Sequence, residues 1–314
     1  MATHYGRTLL SVGSINLDIQ VRGKPAAGET LKARDYLRAG GGKGANAAVF
    51  AGRLEANTAL VGRVGDDAFA KLALRELRAA RVDLDGVLER PGKDTGNAVV
   101  IVQDDGTKMI VLAPNANQAW EANAEDVVTD RVNRCGPGSV VVTDLDISRR
   151  VVRAALSAAR AQGLMTVLDP APATEMRDDL YALCDFITPN PREAEQLTGV
   201  TVRSEKDAAR AGHILLDRGV RHACIKLPHG GAALVDAQGV WATLAPKVNV
   251  VDTTGAGDAF AAGLGAALLK GCDAREAMVQ AVAAASLAVT RYGAQFDFER
   301  SEFETLLERT RQVN

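Results

Sequence analysis

Short apolar runs and helix-period stripes take turns along most of this chain, and that alternation narrows its fold more than any other feature. Runs of strand length are TLLSVG at 8–13, TALVGR at 58–63, GSVVVT at 138–143, LMTVLD at 164–169, DFIT at 185–188 and RHACIKL at 221–227. Between them apolar residues recur three and four apart. Val151, Val152, Ala155, Leu156 and Ala159 form one stripe over 148–162, and Ala208, Ala211 and Leu215 another over 204–218. A βαβα order requires a parallel sheet with helices on both faces, because parallel neighbours are joined by crossovers. Such sheets bind ligands at the carboxyl ends of their strands. With 314 residues, 47% of them hydrophobic, the chain can bury a large core.

Two segments break the rhythm. After the first run, about 25 residues stay extended up to Gly41. Ile15, Leu17, Ile19 and Val21 alternate there with Asn16, Asp18, Gln20 and Arg22, so Asn16 and Asp18 share the polar face of a strand. The second break is NAVVIVQDDGTKMIVL at 97–112, where two apolar runs flank Asp105-Gly106, a hairpin turn signal. Both read as β insertions that build a small second sheet beside the ligand end of the first, a natural lid. The expected organisation is one domain over 1–314, with lid insertions at about 15–40 and 96–114.

Glycine-rich turns mark the chemistry. In VVDTTGAGDAF, 250–260, Val248–Val251 reads as a strand, followed by a turn and a helix of small apolar residues, Ala259 to Leu269. Backbone N–H groups of 255–258 and the helix dipole would there hold an anion. Asp258 stands beside that site. It reads either as a carboxylate favoured at a helix N-terminus or as a general base for a hydroxyl attacking a phosphoryl group. Phe260 occupies the third glycine position of a dinucleotide fingerprint, which speaks against a dehydrogenase. GGGKGAN at 40–46 departs from a Walker loop at Leu37 and Gly44. It leaves a turn into a helix (Ala45 to Leu54), with Lys43 and Asn46 available to hydroxyl groups. TPNPREAE at 188–195 carries a capping box, with Asn190 as N-cap, Pro191 at the first helical position and Glu193 three residues after the cap. VTRYGAQ ends a small-residue helix of roughly 273–291, with Gly293 as a left-handed terminator.

In their order, SINLDIQ, GGKGAN, VLDPAPA, ITPNPREAE, VVDTTGAGDAF and AVTRYGAQ resemble the ribokinase family of ATP-dependent carbohydrate kinases, from about residue 8 to about residue 310. The resemblance implies a Rossmann-like α/β parallel-sheet sandwich with a β-sheet lid. It also implies transfer of the γ-phosphoryl group of ATP to a sugar hydroxymethyl, ribose to ribose 5-phosphate being the leading expectation. Residue by residue, it makes Asp258 the catalytic base and Gly255, Ala256 and Gly257 its anion hole. Asn16, Asp18, Gly42, Lys43, Asn46 and Asp146 become sugar contacts. Asn190, Lys226, His229, Gly231 and Gly257 become nucleotide contacts, and Glu193 a magnesium residue acting through water. Asp252, Thr254, Ala288, Arg291, Gly293 and Asp297 would hold a monovalent cation, K+, partly through carbonyls. The lids are expected to clasp in a homodimer.

Three positions depart from the family pattern. Asp144-Leu145-Asp146 replaces Gln-Leu-Glu, so Asp146 is one methylene short. Pro228 replaces a glycine and removes an N–H from the nucleotide turn. Asp297 replaces a neutral residue, where it could strengthen cation binding or pair with a neighbouring Arg. Deoxyribose, a ketohexose such as tagatose or fructose, and a nucleoside therefore stay open as substrates, as does a catalytically silent sugar-binding protein. Aromatics are 4% of the chain, few for stacking on a base. A net charge of −2 disfavours nucleic acid and anionic membranes as partners. Four scattered cysteines without a CxxC pair, no apparent signal peptide and no apolar run of membrane length fit a cytoplasmic protein.

Overall fold

The computed structural model describes residues 6–24, 28, 30, 32–33, 35–103 and 108–313. Thirteen strands build two sheets among these residues: β1 (Leu9–Val12), β2 (Asn16–Arg22), β3 (Tyr36–Gly41), β4 (Thr58–Gly65), β5 (Asp83–Arg90), β6 (Gly96–Val102), β7 (Lys108–Ala113), β8 (Val140–Thr143), β9 (Met165–Leu168), β10 (Phe186–Ile187), β11 (His222–Lys226), β12 (Ala232–Asp236) and β13 (Gly239–Thr243). The large sheet runs β13-β12-β11-β10-β9-β8-β1-β4-β5. It is parallel from β11 to β5, and β12 and β13 add an antiparallel edge. All six predicted strands lie in it. β5, β12 and β13 lacked the signal: Gly86 and charged residues interrupt β5, and β12 and β13 form a short hairpin.

Helices cover both faces, as the alternation requires. Ala124–Asn133, Arg149–Ala161, Pro191–Thr198 and Glu205–Asp217 share one core with the sheet. Lys43–Arg53, Ala256–Leu269, Ala274–Ala288 and Arg300–Gln312 share the other. Because both sheet faces are covered, β1, β4 and β8 are buried along their whole length and are mostly apolar without a period of two, Ser11, Thr58, Arg63 and Thr143 being the polar exceptions.

The small sheet has the order β3-β2-β6-β7. β2 pairs antiparallel with β3 and parallel with β6, and β6 pairs antiparallel with β7. The Asp105-Gly106 turn lies outside the described residues. One expectation fails: Val248–Val251 forms no strand. Val250 and Val251 are exposed, and Val248 and Val250 line a cavity instead. Their apolar side chains belong to a cavity wall rather than a sheet.

Candidate active site

From β1 the chain builds outward through β4 to β5, then returns to β8 on the other side of β1 and continues to β11. That reversal opens a crevice at the carboxyl ends of the strands. The segments after β1, β8, β9 and β10 deliver Asn16, Asp146, Asp169 and Asn190 there, and Lys226 ends β11. These residues line one cavity of about 610 Å³ with Asp18, Gly42, Lys43, Asn46, Glu193 and Asp258. A second cavity of about 550 Å³ lies beyond, lined by His229, Gly231, Val248 and Phe260 among others. Both are lined by Lys226, Leu227, Thr253, Ala256 and Gly257, so their shared wall is the first turn of the helix Ala256–Leu269.

That turn is shaped by glycine. Gly255 caps the helix at φ 75°, and a Cβ there would lie 2.6 Å from Ala294 Cβ. A Cβ on Gly257 would reach 3.4 Å from Lys226 Nζ. Gly255 and Gly257 therefore leave the backbone of this turn bare at two positions, at the positive end of a dipole.

Asp258 lines the first cavity. Its Oδ2 accepts a hydrogen bond from Asn46 Nδ2 at 2.6 Å, and Asn46 Oδ1 accepts from Gln295 Nε2 at 2.9 Å. Burial pushes the Asp258 carboxyl up to about 6; Asp169 adds to the shift, while Lys43, Asn46 and Lys226 oppose it. Such a carboxylate is largely ionised at neutral pH yet proton-hungry, which suits a general base.

On the polar face of β2, Asn16 accepts at Oδ1 from Asn117 Nδ2 at 2.7 Å. Asn117 also accepts from Ile15 N at 2.9 Å, so it fixes the turn that presents Asn16. Asp18 is pushed up to about 7 by burial and then by the charge of Asp258, against Lys43. Its Oδ1 is buried with no hydrogen-bond partner, an acceptor well placed for a ligand hydroxyl. Lys43 forms an ion pair with Asp146. Burial works against the lysine's charge, but Asp146, Asp144 and Asp258 prevail and raise its proton affinity. Asp144 braces the loops around the site. It accepts from Ser14 N at 3.0 Å and from Asp146 N at 2.9 Å, and burial lifts it to about 7.

The capping box is present as predicted. Asn190 Oδ1 accepts from Glu193 N at 2.9 Å, and Glu193 Oε2 accepts from Asn190 N at 2.9 Å. Glu193 is shifted upward by burial first, then by Asp169, against Lys226. Between β11 and β12 the KLPHGG turn is tight, Leu227 N donating to Gly231 O at 3.0 Å, and its His229 faces the second cavity.

The expected cation residues gather around two loops. Asp252 accepts from Thr254 N at 3.0 Å and Thr254 Oγ1 at 2.8 Å, and its other oxygen accepts from Gly293 N at 3.1 Å. The helix before them ends at Ala288, earlier than predicted, and Gly293 sits at φ 76° in the following loop. The side chain of Arg291 pairs with Glu302, and that of Asp297, 93% exposed, lies 3.5 Å from Arg53. These two would reach a cation through their main chains.

Three residues that the site uses escape the sequence pattern: Asn117, Asp169 and Gln295. Asp169 and Gln295 lie inside two of the motifs, VLDPAPA and AVTRYGAQ, but only proximity in three dimensions shows what they touch.

The profile of the pfkB family carbohydrate kinases matches residues 7–300. A ribokinase of Haemophilus influenzae is 35% identical over 299 residues, covering 92% of this chain and 94% of that protein. A deoxyribokinase of Salmonella typhi is 31% identical over 279 residues, 88% of this chain and 90% of that one. The structure of Arabidopsis thaliana ribokinase complexed with ribose and ATP superposes with a TM-score of 0.85 at 31% identity, covering 97% of this chain and 99% of that chain.

Proposed function

The chain belongs to the pfkB family of carbohydrate kinases and is an ATP-dependent sugar kinase, and from that premise we propose that it phosphorylates D-ribose at its hydroxymethyl oxygen. The observation that carries this reading is the position of Asp258, which lines the first cavity and follows directly on the glycine-lined helix start that walls both. In this reading the sugar occupies the Asn16–Asp18–Lys43–Asp146 cavity and the nucleotide the His229–Gly231 cavity. As the hydroxymethyl oxygen attacks, its proton passes to Asp258, the new O–P bond forms and the P–O bond to ADP breaks. The electron pair leaves on ADP, and the backbone of 255–258 receives the charge of the transferred group.

A magnesium ion would neutralise phosphate charge. Such an ion keeps several waters and takes phosphate oxygens as ligands, and the Glu193 carboxylate and Asn190 line the same cavity as outer contacts for that water shell. We assign K+ to the Asp252–Gly293 loops, with Thr254, Ala288, Arg291 and Asp297 around it, as an activator. The small sheet is the lid. Met109, Ile110, Val111 and Leu112 of its edge strand β7 are exposed, which supports pairing of two lids in a homodimer. Four free cysteines support a cytoplasmic setting.

Deoxyribose is the second reading, favoured by Asp146, which pairs with Lys43 in the first cavity, and by the Salmonella typhi relative. A nucleoside is disfavoured: the sheet side of the cavity is Ala98, Val100, Ile110 and Leu112, without a ring to stack on a base. The test is ADP release with MgATP and K+ across ribose, deoxyribose, tagatose, fructose and adenosine. Highest kcat/KM on ribose supports the proposal. Highest kcat/KM on another acceptor replaces ribose while leaving the kinase machinery in place.

A further inference from the structure

Lys226 belongs by sequence to a nucleotide-binding turn, and it lines both cavities. The side chain is 15% exposed, and Nζ lies 3.4 Å from Asp169 Oδ2 and 5.4 Å from the centre of the Phe260 ring. A Cβ built on Gly257 would be 3.4 Å from that nitrogen and 3.7 Å from Asp169 Oδ2. The ammonium therefore stands against the bare backbone of the helix start, on the wall the two cavities share. Its charge is felt by two carboxylates of the first cavity, since it opposes the upward shifts of Asp258 and Glu193. Lys43, the other lysine lining the first cavity, is committed to Asp146.

We propose that Lys226 is a further catalytic residue, contacting the transferring phosphoryl group, and that Asp169 is the positioning residue that holds it there. This rests on the kinase reading above. An ammonium has three N–H donors, and a single carboxylate at 3.4 Å, longer than a charge-assisted hydrogen bond, leaves donors for phosphoryl oxygens. In phosphoryl transfer charge spreads over the equatorial oxygens, where a fixed cation acts strongly because water is excluded. Lys226 neither gains nor loses a proton in the step. The proton still goes from the sugar hydroxyl to Asp258 and the electron pair to ADP. The lysine also supplies positive charge beside a turn in which Pro228 has no N–H to offer.

The test compares full-length wild type with Lys226→Met, Lys226→Arg and Asp169→Asn. It reads kcat and KM with ribose, ADP affinity by calorimetry, and the tightening of ADP on adding aluminium fluoride and ribose, a mimic of the transferring group. The expected result for Lys226→Met is a kcat loss of about 10²–10³-fold with ADP affinity changed by less than about threefold. The aluminium fluoride tightening disappears, and Lys226→Arg restores part of it. The acid limb of the pH profile moves up in Lys226→Met and down in Asp169→Asn, because one removes a cation from Asp258 and the other an anion. A kcat within about threefold of wild type overturns the proposal, as does an ADP affinity that falls in step with kcat/KM. The latter returns Lys226 to nucleotide anchoring. If Lys226→Met does not fold, Asp169→Asn carries the test, and an unmoved acid limb with wild-type kcat refutes it. Wild type inactive on every sugar would sink the kinase reading instead, and fluoride tightening would still judge Lys226.

Discussion

The pH dependence of turnover gives the sharpest check on Asp258. Burial lifts its carboxyl to about 6 from an ordinary value of 3.8, with Asp169 adding and Lys43 opposing. A base works only when ionised, so the ionised fraction sets the rate. That fraction is about 0.1 at pH 5, about 0.9 at pH 7 and about 0.99 at pH 8, so kcat/KM for the sugar should fall about tenfold from pH 7 to pH 5. The assay keeps MgATP saturating, so that titration of free nucleotide drops out. Phosphates beside the carboxylate push its proton affinity up, which places the limb at or above about 6. The companion variant is Asp258→Asn. It should lose about 10²–10⁴-fold in kcat, and its residual rate should be flat across the same range. A wild-type profile flat from pH 5 to pH 8, or a variant whose residual rate keeps the same limb, would refute the assignment.

The remaining predictions concern the frame around the site. Gly257→Ala adds a methyl at ordinary contact distance from Lys226 Nζ, so it should fold like wild type and lose turnover; Gly255→Ala meets positive φ and a 2.6 Å contact, so its melting temperature should fall as well. Asn117→Ala strips partners from Ile15 N and Asn16 Oδ1, and should cost about 1–3 kcal/mol in urea unfolding. Asp18 and Asp144 are both pushed up to about 7 by burial, so the folded state holds their protons more tightly than the unfolded chain does. Their stabilising contribution is complete below the unfolded value of about 4 and is lost as pH rises through about 7; the urea midpoint of ligand-free protein should therefore drop between pH 5 and pH 8, and less so in Asp144→Asn.

Where local chemistry decides structure, the sequence is a good guide. The capping box of Asn190 and Glu193 needs only four consecutive residues, and it forms as read. The alternation of β2 puts Asn16 and Asp18 on the cavity side because strand period leaves no other choice. Val248–Val251 misleads because three valines around Asn249 are too few to carry a period, and a cavity wall looks the same as a strand at that length. Asp146 raises a question that composition cannot answer, since its ion-pair partner Lys43 lies more than a hundred residues earlier. Asn117 gives no signal at all: it sits in a short 3-10 turn, and its side chain is bonded to Ile15 and Asn16, about a hundred residues earlier. Family resemblance supplies roles for Asp258 and Glu193 that capping preferences alone would explain away.

The carboxamide of Asn46 has a direction. Its amino end meets Asp258 and its carbonyl end meets Gln295. Turned over, it would set oxygen against carboxylate and amino group against amino group, two repulsions in place of two attractions. Gln295 thus works as a keel for an amide it does not share a helix with, and through that amide it trims the proton affinity of the base. The loop carrying Gln295 also holds Gly293, whose N–H is tied to Asp252. Half a rotation of that one planar group would take away the hydrogen bond that lowers the proton affinity of Asp258, with no movement of the backbone.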